Sequence, residues 1–277
     1  MKTLIRSLIV ISLLASISLA NAGPEQDKES FQNFFTEQFP DIALADFGLG
    51  VYALNKDAKE QWESLNDFPP YEDSLEEGEA LFNTAFANGK GYPDCFPNGG
   101  INIKQNYPIF DAERNTVVTI ELAINECRTS NGEKPLPYKK GAIAKISAYM
   151  TSTSVGSNIN VVIPDNENAL AAYEDGKQYY YTKRGQLNFS CANCHVQNAG
   201  RRIRADTLSP ALGHTSHFPV YRLKWASLGT LHRRFGGCNK QVRAEPLAAQ
   251  SEEYKNLEYY LAYMSNGLPV NGPATRK

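Results

Sequence analysis

Beyond its N-terminus the sequence has no long hydrophobic run, and it has no clear excess of charge of either sign. Its 28 lysine and arginine residues stand against 30 aspartate and glutamate residues, which gives a net charge of −2. A chain without a basic excess lacks the electrostatic attraction that nucleic acids and anionic membranes exert on their partners. No stretch after the first twenty-two residues is apolar enough to predict a membrane span. The composition therefore favours neither a nucleic-acid-binding protein nor an integral membrane protein.

Residues 1–22 have the organisation of a secretory signal peptide. Lys2 and Arg6 supply a basic start, residues 8–19 are apolar or small, and Ala20-Asn-Ala22 gives a small-x-small cleavage site before Gly23. The apolar run is short for a bilayer span, and an uncleaved anchor is the alternative. We therefore expect export to the periplasm, with a mature chain that begins at Gly23. In that compartment thiols are readily oxidised.

The clearest chemical motif is Cys191-Ala-Asn-Cys194-His195. Two cysteines three positions apart can each form a thioether with one vinyl group of a haem, and the next histidine then reaches the iron. A thioredoxin-type redox pair or half of a zinc site also contains C-x-x-C. However, the zinc site would lack a second pair at suitable spacing, and a redox pair needs no adjacent histidine. The motif predicts one covalently bound haem c, attached to Cys191 and Cys194 with His195 as an iron ligand.

Five landmarks recur in the same order in the two halves of the chain, at similar spacing. This order indicates two copies of one fold. The pairs are Gly78 and Gly176, Cys95 and Cys191, Cys127 and Cys238, Pro135-Leu136 and Pro246-Leu247, and the Ala-Tyr-Met triplets that end at Met150 and Met264.

The first copy has lost the residues that attach a haem. Cys95-Phe-Pro-Asn98-Gly99 keeps the first cysteine of the motif but has Asn and Gly in place of the second cysteine and the histidine. Cys127 matches Cys238 in the repeat, so two leftover cysteines should face one pocket. In an oxidising compartment we expect a Cys95–Cys127 disulfide, worth about 3–4 kcal/mol.

These observations predict a mainly α fold of two cytochrome c-like domains related by duplication, the first of which lacks haem. A helix should precede each cysteine motif, and an amphipathic helix should close each half, as residues 251–264 show. We expect the N-terminal extension to wrap onto the first domain. The predicted ranges are 23–75 for this extension, 76–156 for the haemless domain and 157–277 for the haem-binding domain, with an extended segment at 157–164 between them.

Several residues compete to be the second iron ligand. Met264 lies at a plausible distance downstream of the haem motif, but Met150 occupies the matching place in the half without haem. Met264 is therefore more simply a core residue of the closing helix. The three other histidines, His214, His217 and His232, are also candidates, although each could be an ordinary hydrogen-bonding residue.

Cys238 is the better candidate for this position. Five cysteines cannot all pair, and after the haem and the disulfide Cys238 is the one left over. Arg233 and Arg234 precede it, and cationic neighbours favour the thiolate form of a cysteine. A buried inert thiol or a disulfide partner is the alternative interpretation of this residue.

Motifs in both halves form a specific combination, and with them the chain resembles the SoxA family over nearly all of residues 23–277. SoxA proteins are cytochrome subunits of the bacterial thiosulfate-oxidising Sox system. In the second half the motifs are Cys191-Ala-Asn-Cys194-His195, Tyr221-Arg-Leu-Lys-Trp225, Leu231-His-Arg-Arg234, Cys238-Asn239 and Arg243-Ala-Glu-Pro246. In the first half they are Phe68-Pro-Pro-Tyr71, the Cys127 segment and Lys139-Lys-Gly-Ala-Ile-Ala144.

The resemblance implies a periplasmic L-cysteine S-thiosulfotransferase with a single haem. Thiosulfate would be joined oxidatively to a cysteine of a SoxYZ carrier, and a small SoxX cytochrome c would form a heterodimer with this chain and accept the electrons. His195 and Cys238, the latter as a persulfide, would ligate the iron. Arg234 matches the arginine that holds the substrate anion, so Cys238 and Arg234 are the expected catalytic residues.

Other interpretations stay open at this point. The basic side chains of Arg201, Arg202, Arg204 and Arg243 could pair with haem propionates or could be ordinary surface charges. A plain electron-transfer cytochrome would need no substrate and would use Met264 or a histidine as distal ligand. A tetrathionate-forming thiosulfate dehydrogenase would need no carrier protein, and a thiol oxidoreductase using Cys191 and Cys194 would carry no haem.

Overall fold

The computed structural model describes residues 23–277, and the expected signal peptide at residues 1–22 lies outside the described part. The prediction of a mainly helical fold is confirmed. The helices are α1 (Pro24–Gln38), α2 (Val51–Leu54), α3 (Lys56–Asn66), α4 (Glu72–Asn83), α5 (Ile120–Ser130), α6 (Ala142–Ser152), α7 (Glu167–Tyr181), α8 (Cys191–His195), α9 (Leu231–Gln241) and α10 (Glu252–Met264). The strands are β1 (Ile109–Asp111), β2 (Thr116–Val118), β3 (Arg202–Ile203), β4 (Asp206–Thr207), β5 (Val220–Arg222), β6 (Ser227–Gly229) and β7 (Ala274–Arg276).

Each half is built around one close crossing of two helices, α4 with α6 in the first half and α7 with α10 in the second. Gly78 lies where α4 meets α6, and a Cβ atom there would stand 2.2 Å from the carbonyl oxygen of Lys145. Gly176 plays the same part in α7, where a Cβ would stand 2.0 Å from the carbonyl oxygen of Asn256. The two glycines lie inside their helices, at the points where the helices cross.

A second unit, made of a two-stranded hairpin followed by a helix, also occurs twice. The hairpin β1–β2 leads through Thr119 into α5, and the hairpin β5–β6 leads through Thr230 into α9. Cys127 and Cys238 take the same position in these two helices, eight residues after the respective threonine. The repeat inferred from short sequence motifs therefore extends to strands that the sequence analysis did not identify.

Each half has its own hydrophobic core, and the two methionines of the repeat are buried in them. Met150 is fully buried in the first core with Ile120, Ile124 and Phe82 around α4, α5 and α6. Met264 is fully buried in the second core. The segment 157–164 contains no helix, in line with the predicted extended segment, and its Ile159 and Val161 side chains are buried in the second core.

Helix α1 of the N-terminal extension packs on the second half, so the prediction that the extension wraps onto the first half was wrong for this helix. Only the end of the extension, at Tyr71 and Leu75, packs on the first core. Phe31 and Phe35 of α1 are buried in the core of the second half, and the ring of Phe31 lies 6.5 Å from that of Tyr260 on α10. Gln32 Nε2 donates to the carbonyl oxygen of Met264 at 3.2 Å. The apolar face of α1 was visible in the sequence, but its partner was not, because the aromatic surface of α10 is formed only after α7 and α10 have packed.

A three-stranded sheet, ordered β6-β5-β7, forms one side of the second half. The C-terminal strand β7 runs parallel to β5, with Arg222 opposite Arg276 in the register. Residues from the N-terminal extension cover this strand, since Trp62 Nε1 donates to the carbonyl oxygen of Thr275 at 3.0 Å. Across residues 23–277, no helix has the length and apolar character needed to cross a membrane.

Candidate haem site

The haem-attachment motif forms the short helix α8, whose start is fixed by its own side chains. Ser190 Oγ accepts from the backbone N–H of Asn193, and Asn193 Oδ1 accepts from the backbone N–H of Ser190 at 2.8 Å. His195 Nδ1 donates to the carbonyl oxygen of Ser209 at 2.8 Å. A histidine that donates through Nδ1 keeps Nε2 unprotonated, which is the nitrogen that can bind iron.

The two motif cysteines and His195 open onto a cavity of about 400 Å³ in the second half. Cys238 and Arg234 of α9 line the same cavity, so the structure brings together all the residues that the sequence assigned to the haem site. Apolar side chains form much of the remaining wall. They include Tyr180, Phe218, Val220, Phe235, Leu257 and Leu261. A largely apolar pocket with two thiols and an imidazole fits a covalently attached haem.

The electrostatics of Cys238 differ from those of an ordinary buried thiol. Burial raises its pKa, but the Arg234 cation, the contact with the His195 side chain and the Arg222 cation together lower the pKa to about 7. A cysteine in such a cationic setting is held towards the thiolate, the form that binds metals and acts as a nucleophile. The assignment of Cys238 as an iron ligand stays a prediction.

Two of the competing ligands are held elsewhere. Met264 lies in the hydrophobic core and is not among the residues that line the cavity. His232 is buried, with its Nε2 atom 3.2 Å from Glu258 Oε2 and its Nδ1 atom accepting from the backbone N–H of Gln250 at 3.0 Å. Both have a structural role that accounts for their presence.

His214 and His217 do line the cavity, but His214 lies beside His195. Its ring is 4.6 Å from that of His195 in an edge-on arrangement, and its Nε2 is 2.8 Å from Ser209 Oγ. Burial holds the pKa of both His214 and His217 well below the usual range, so both are neutral. The sequence did not indicate that Ser209 contacts both His195 and His214.

Sequence reasoning also missed three arginines of the cavity wall, Arg184, Arg222 and Arg276. Arg222 belongs to a motif noted in the sequence, Tyr221-Arg-Leu-Lys-Trp225, whereas nothing marked Arg276 near the C-terminus. The four arginines that the sequence offered as possible propionate partners are all exposed, and of these only Arg202 lines the cavity. These four residues are Arg201, Arg202, Arg204 and Arg243.

In the first half, a disulfide joins Cys95 and Cys127, whose Cα atoms are 5.7 Å apart. Asn98 and Gly99, which replace the second cysteine and the histidine, both have positive φ angles, 51° and 60°. A cavity of about 550 Å³ beside the disulfide is lined by Tyr107 and other residues of this half. With both cysteines consumed and no histidine at the motif, this half has no residues to attach a haem.

The alternative of a zinc site finds no support in the geometry. Within residues 23–277, no group of three or more His, Cys, Asp or Glu side chains is arranged to hold a metal ion by itself. Cys191, Cys194 and Cys238 are free thiols. The residues predicted to attach the haem and to bind its iron instead all line one cavity, an arrangement that suits a macrocycle.

Comparison with known proteins points to one family. A family model described as the SoxA/TsdA cytochrome c domain matches residues 77–159 and 175–270. L-cysteine S-thiosulfotransferase subunit SoxA of Chlorobaculum tepidum is 54% identical over 253 residues, which cover 91% of this chain and 88% of the relative. The subunit of the same name from Allochromatium vinosum is 51% identical over 276 residues, which cover 96% and 98%.

A solved structure has the same fold. The crystal structure of SoxXA from P. pantotrophus superimposes with a TM-score of 0.72 and 33% identity, covering 79% of this chain and 84% of the other. The two matched segments of the family model correspond to the two halves of the fold, and a cytochrome c domain with a complete attachment motif binds haem c. The chain belongs to the SoxA family of c-type cytochromes.

Proposed function

We propose that this chain is the catalytic subunit of a periplasmic complex that joins thiosulfate to a cysteine of a SoxYZ-type carrier protein. The observation that carries the proposal is the placement of Cys238 and Arg234 on one cavity wall, in the same cavity as His195. A site for electron transfer alone needs no thiol with a pKa near 7 and no cation beside it. The names of the similar proteins, L-cysteine S-thiosulfotransferase subunit SoxA, support the same activity.

The reaction forms one S–S bond and releases two electrons. The sulfane sulfur of thiosulfate bonds to the carrier thiol, the thiol proton is lost, and the product is a cysteine S-thiosulfonate. Arg234 binds the sulfonate oxygens and offsets the charge of the dianion, which orients its sulfane sulfur. Cys238, free or as a persulfide, lies where it can contact that sulfur. Haem c, when bound, supplies the one-electron redox chemistry.

The two electrons pass to a SoxX-type small cytochrome c, which forms a heterodimer with this chain. The SoxXA complex from P. pantotrophus, whose structure is similar, supports this partner. We further propose that the chain carries one haem, on Cys191 and Cys194, and that residues 1–22 direct it to the periplasm and are removed. The Cys95–Cys127 disulfide supports an oxidising compartment.

The function is tested with a Cys238→Ala variant of the haem-loaded heterodimer. We expect the haem to stay attached through Cys191 and Cys194, the iron spectrum to change, and conjugation of thiosulfate to the carrier to be lost. Met264→Leu is the matched control, because Met264 is buried in the core and should leave spectrum and activity unchanged. A normal spectrum and full conjugation in Cys238→Ala would overturn the proposal and favour a plain electron carrier.

Two further measurements separate the remaining alternatives. Rapid oxidation of thiosulfate to tetrathionate without any carrier would identify a thiosulfate dehydrogenase. Peptide-mapped mass spectrometry of the periplasmic protein should show one haem on Cys191 and Cys194, no leader and any added sulfur on Cys238. A mass without haem would favour a thiol oxidoreductase instead.

A further inference from the structure

Two arginines meet on one wall of the haem cavity without a negatively charged partner. Arg222 on β5 and Arg276 on β7 are directly opposite each other in the parallel register, and both line the cavity. Side chains at paired positions of neighbouring parallel strands point to the same face, with the strands about 4.8 Å apart. The sheet therefore presents two guanidinium groups side by side at the cavity.

Neither guanidinium is neutralised by the protein. Among residues 23–277, no carboxylate forms an ion pair with Arg222 or Arg276. Asp206, whose charge acts on Arg222, faces Lys224 at 3.9 Å. Only 9% of the surface of Arg276 is exposed. Buried charges are normally paired, so this arrangement calls for an anion that the chain does not supply.

The hydrogen bonds that these arginines make are to backbone carbonyl groups, and they leave the positive charges without an anionic partner in the described part of the chain. Arg276 donates to the carbonyl oxygens of Thr275 at 2.9 Å and Gly48 at 3.1 Å. Arg222 Nε is buried without any hydrogen-bond partner, and so is Nδ1 of His217, which lines the same cavity. Burial holds the pKa of both arginines at about 10, below the usual value.

We propose that Arg222 and Arg276 form the binding site for the two propionate groups of the haem. A haem presents two carboxylates next to each other, on the two pyrrole rings that carry no thioether. Two guanidinium groups on adjacent strands match such a pair, because each can form a charge-assisted hydrogen bond to one carboxylate. The cysteine-bearing wall has its own arginine, since Arg184 Nη1 lies 3.6 Å from Cys191 Sγ.

The oxyanion of the substrate is the competing occupant of this pair, because the Arg222 cation also acts on Cys238. Arg234 stands on α9 one helical turn before Cys238, where it serves a substrate at the thiol. Arg276 instead lies on the C-terminal strand β7, where it donates to the backbone of Thr275 and Gly48. The proposal depends on haem attachment to this half and not on the reaction that the complex catalyses.

The test compares Arg276→Gln and Arg222→Gln in the haem-loaded full-length protein by resonance Raman spectroscopy. Loss of a hydrogen-bonded cation should shift the propionate bending band to lower frequency in both variants. Arg276→Lys, which keeps the charge, should restore part of the shift. Arg201→Gln is the matched control, because Arg201 is exposed and does not line the cavity. If Arg276→Gln does not fold, Arg222→Gln still provides the result, since it leaves the Gly48 contact intact.

Thiosulfate binding, measured on the same proteins by calorimetry, separates the two anions. We expect Arg234→Gln to weaken thiosulfate binding at least tenfold and to leave the propionate band in place. An unchanged propionate band in both Arg276→Gln and Arg222→Gln would overturn the proposal. Weaker thiosulfate binding in those variants, with the band unchanged, would assign the pair to the substrate and would overturn it equally.

Discussion

Cys127 and Cys238 occupy the same position in two matching helices, α5 and α9, yet their sulfur atoms have different environments. Cys127 is buried and bonded to Cys95. Cys238 is a free thiol that opens onto the cavity and has Arg234 one turn earlier on the same helix. In the first half the position cross-links the domain, and in the second half it leaves a free thiol at the cavity, which we propose is the reactive group. Duplication thus separated a structural role from a chemical one at a single site of the fold.

The Cys95–Cys127 disulfide should stabilise the first half without affecting the haem. It links residues 32 positions apart, and a Cys95→Ser/Cys127→Ser variant should lose about 3–4 kcal/mol of unfolding free energy. Haem content and the Soret spectrum should stay as in the unmodified protein, because the haem cavity belongs to the other half. Denaturant unfolding and a haem assay check both points. Loss of haem in this variant would contradict the division of roles between the halves.

Arg234 should matter for thiosulfate chemistry, whereas its neighbour Arg233 should not. We expect Arg234→Gln to lower kcat/KM for thiosulfate conjugation by about 100-fold, the loss of one charge-assisted contact to a dianion. Arg233 instead stacks over the ring of Trp225 at 4.1 Å and contacts Ser227 Oγ at 3.1 Å. Arg233→Gln is therefore a matched control that removes the same charge one residue away. An equal loss of kcat/KM in both variants would show that overall positive charge near the site, and not a specific contact of Arg234, supports the reaction.

The sequence was sufficient for the haem motif, the duplication and the disulfide because each rests on chemically specific residues in a recognisable order. Cys191, Cys194 and His195 form one local motif, and the repeat aligns Cys127 with Cys238. The placement of α1 was wrong because an apolar helix face does not specify which apolar surface it will contact. In that case the tyrosines of α10 decided the outcome.

The cationic wall of the cavity could not be predicted for a related reason. Arg222 and Arg276 are distant in sequence and meet only because β7 pairs in parallel with β5. A three-residue strand near the C-terminus has too little pattern to reveal its partner. The exposed arginines of residues 201–204 drew attention because they cluster in sequence, but clustering along the chain says little about burial.

Gly176 should be essential for the packing of the second half. A Cβ atom at this position would lie 2.0 Å from the carbonyl oxygen of Asn256, a backbone atom that can move only if α10 shifts. We expect Gly176→Ala to cost about 3 kcal/mol of unfolding free energy, at the upper end for overpacking, and to lower haem retention. Asp175→Ala is the control at the neighbouring, exposed position of α7. A Gly176→Ala variant as stable as that control would show that the helices can separate freely.

A buried cluster of ionisable groups connects the two halves beneath α9. Glu258 of α10 lies 3.9 Å from Lys104 Nζ and 3.2 Å from His232 Nε2. Glu121 of α5 accepts a hydrogen bond from Ser147 Oγ at 2.8 Å. Burial raises the pKa of Glu121, and the nearby charge of Glu258 raises it further. Burial also acts to raise the pKa of Glu258, but the hydrogen bond from His232 and the Lys104 cation hold it below the usual value.

Replacing each glutamate with glutamine should therefore change the stability of the protein in opposite directions, upwards at Glu121 and downwards at Glu258. The folded state holds the Glu121 proton more tightly than the unfolded state, so stability falls as pH rises from the ordinary carboxyl pKa towards the raised one. Glu121→Gln removes this fall and should stabilise the protein at pH 7 by about 1 kcal/mol. The gain should vanish below about pH 4, where the unfolded carboxyl is protonated as well. Glu258→Gln leaves Lys104 and His232 without their partner and should cost about 3 kcal/mol at pH 7. Denaturant unfolding between pH 4 and pH 8 would measure both, and a loss of stability in Glu121→Gln at pH 7 would show that Glu121 is a charged partner of Lys104.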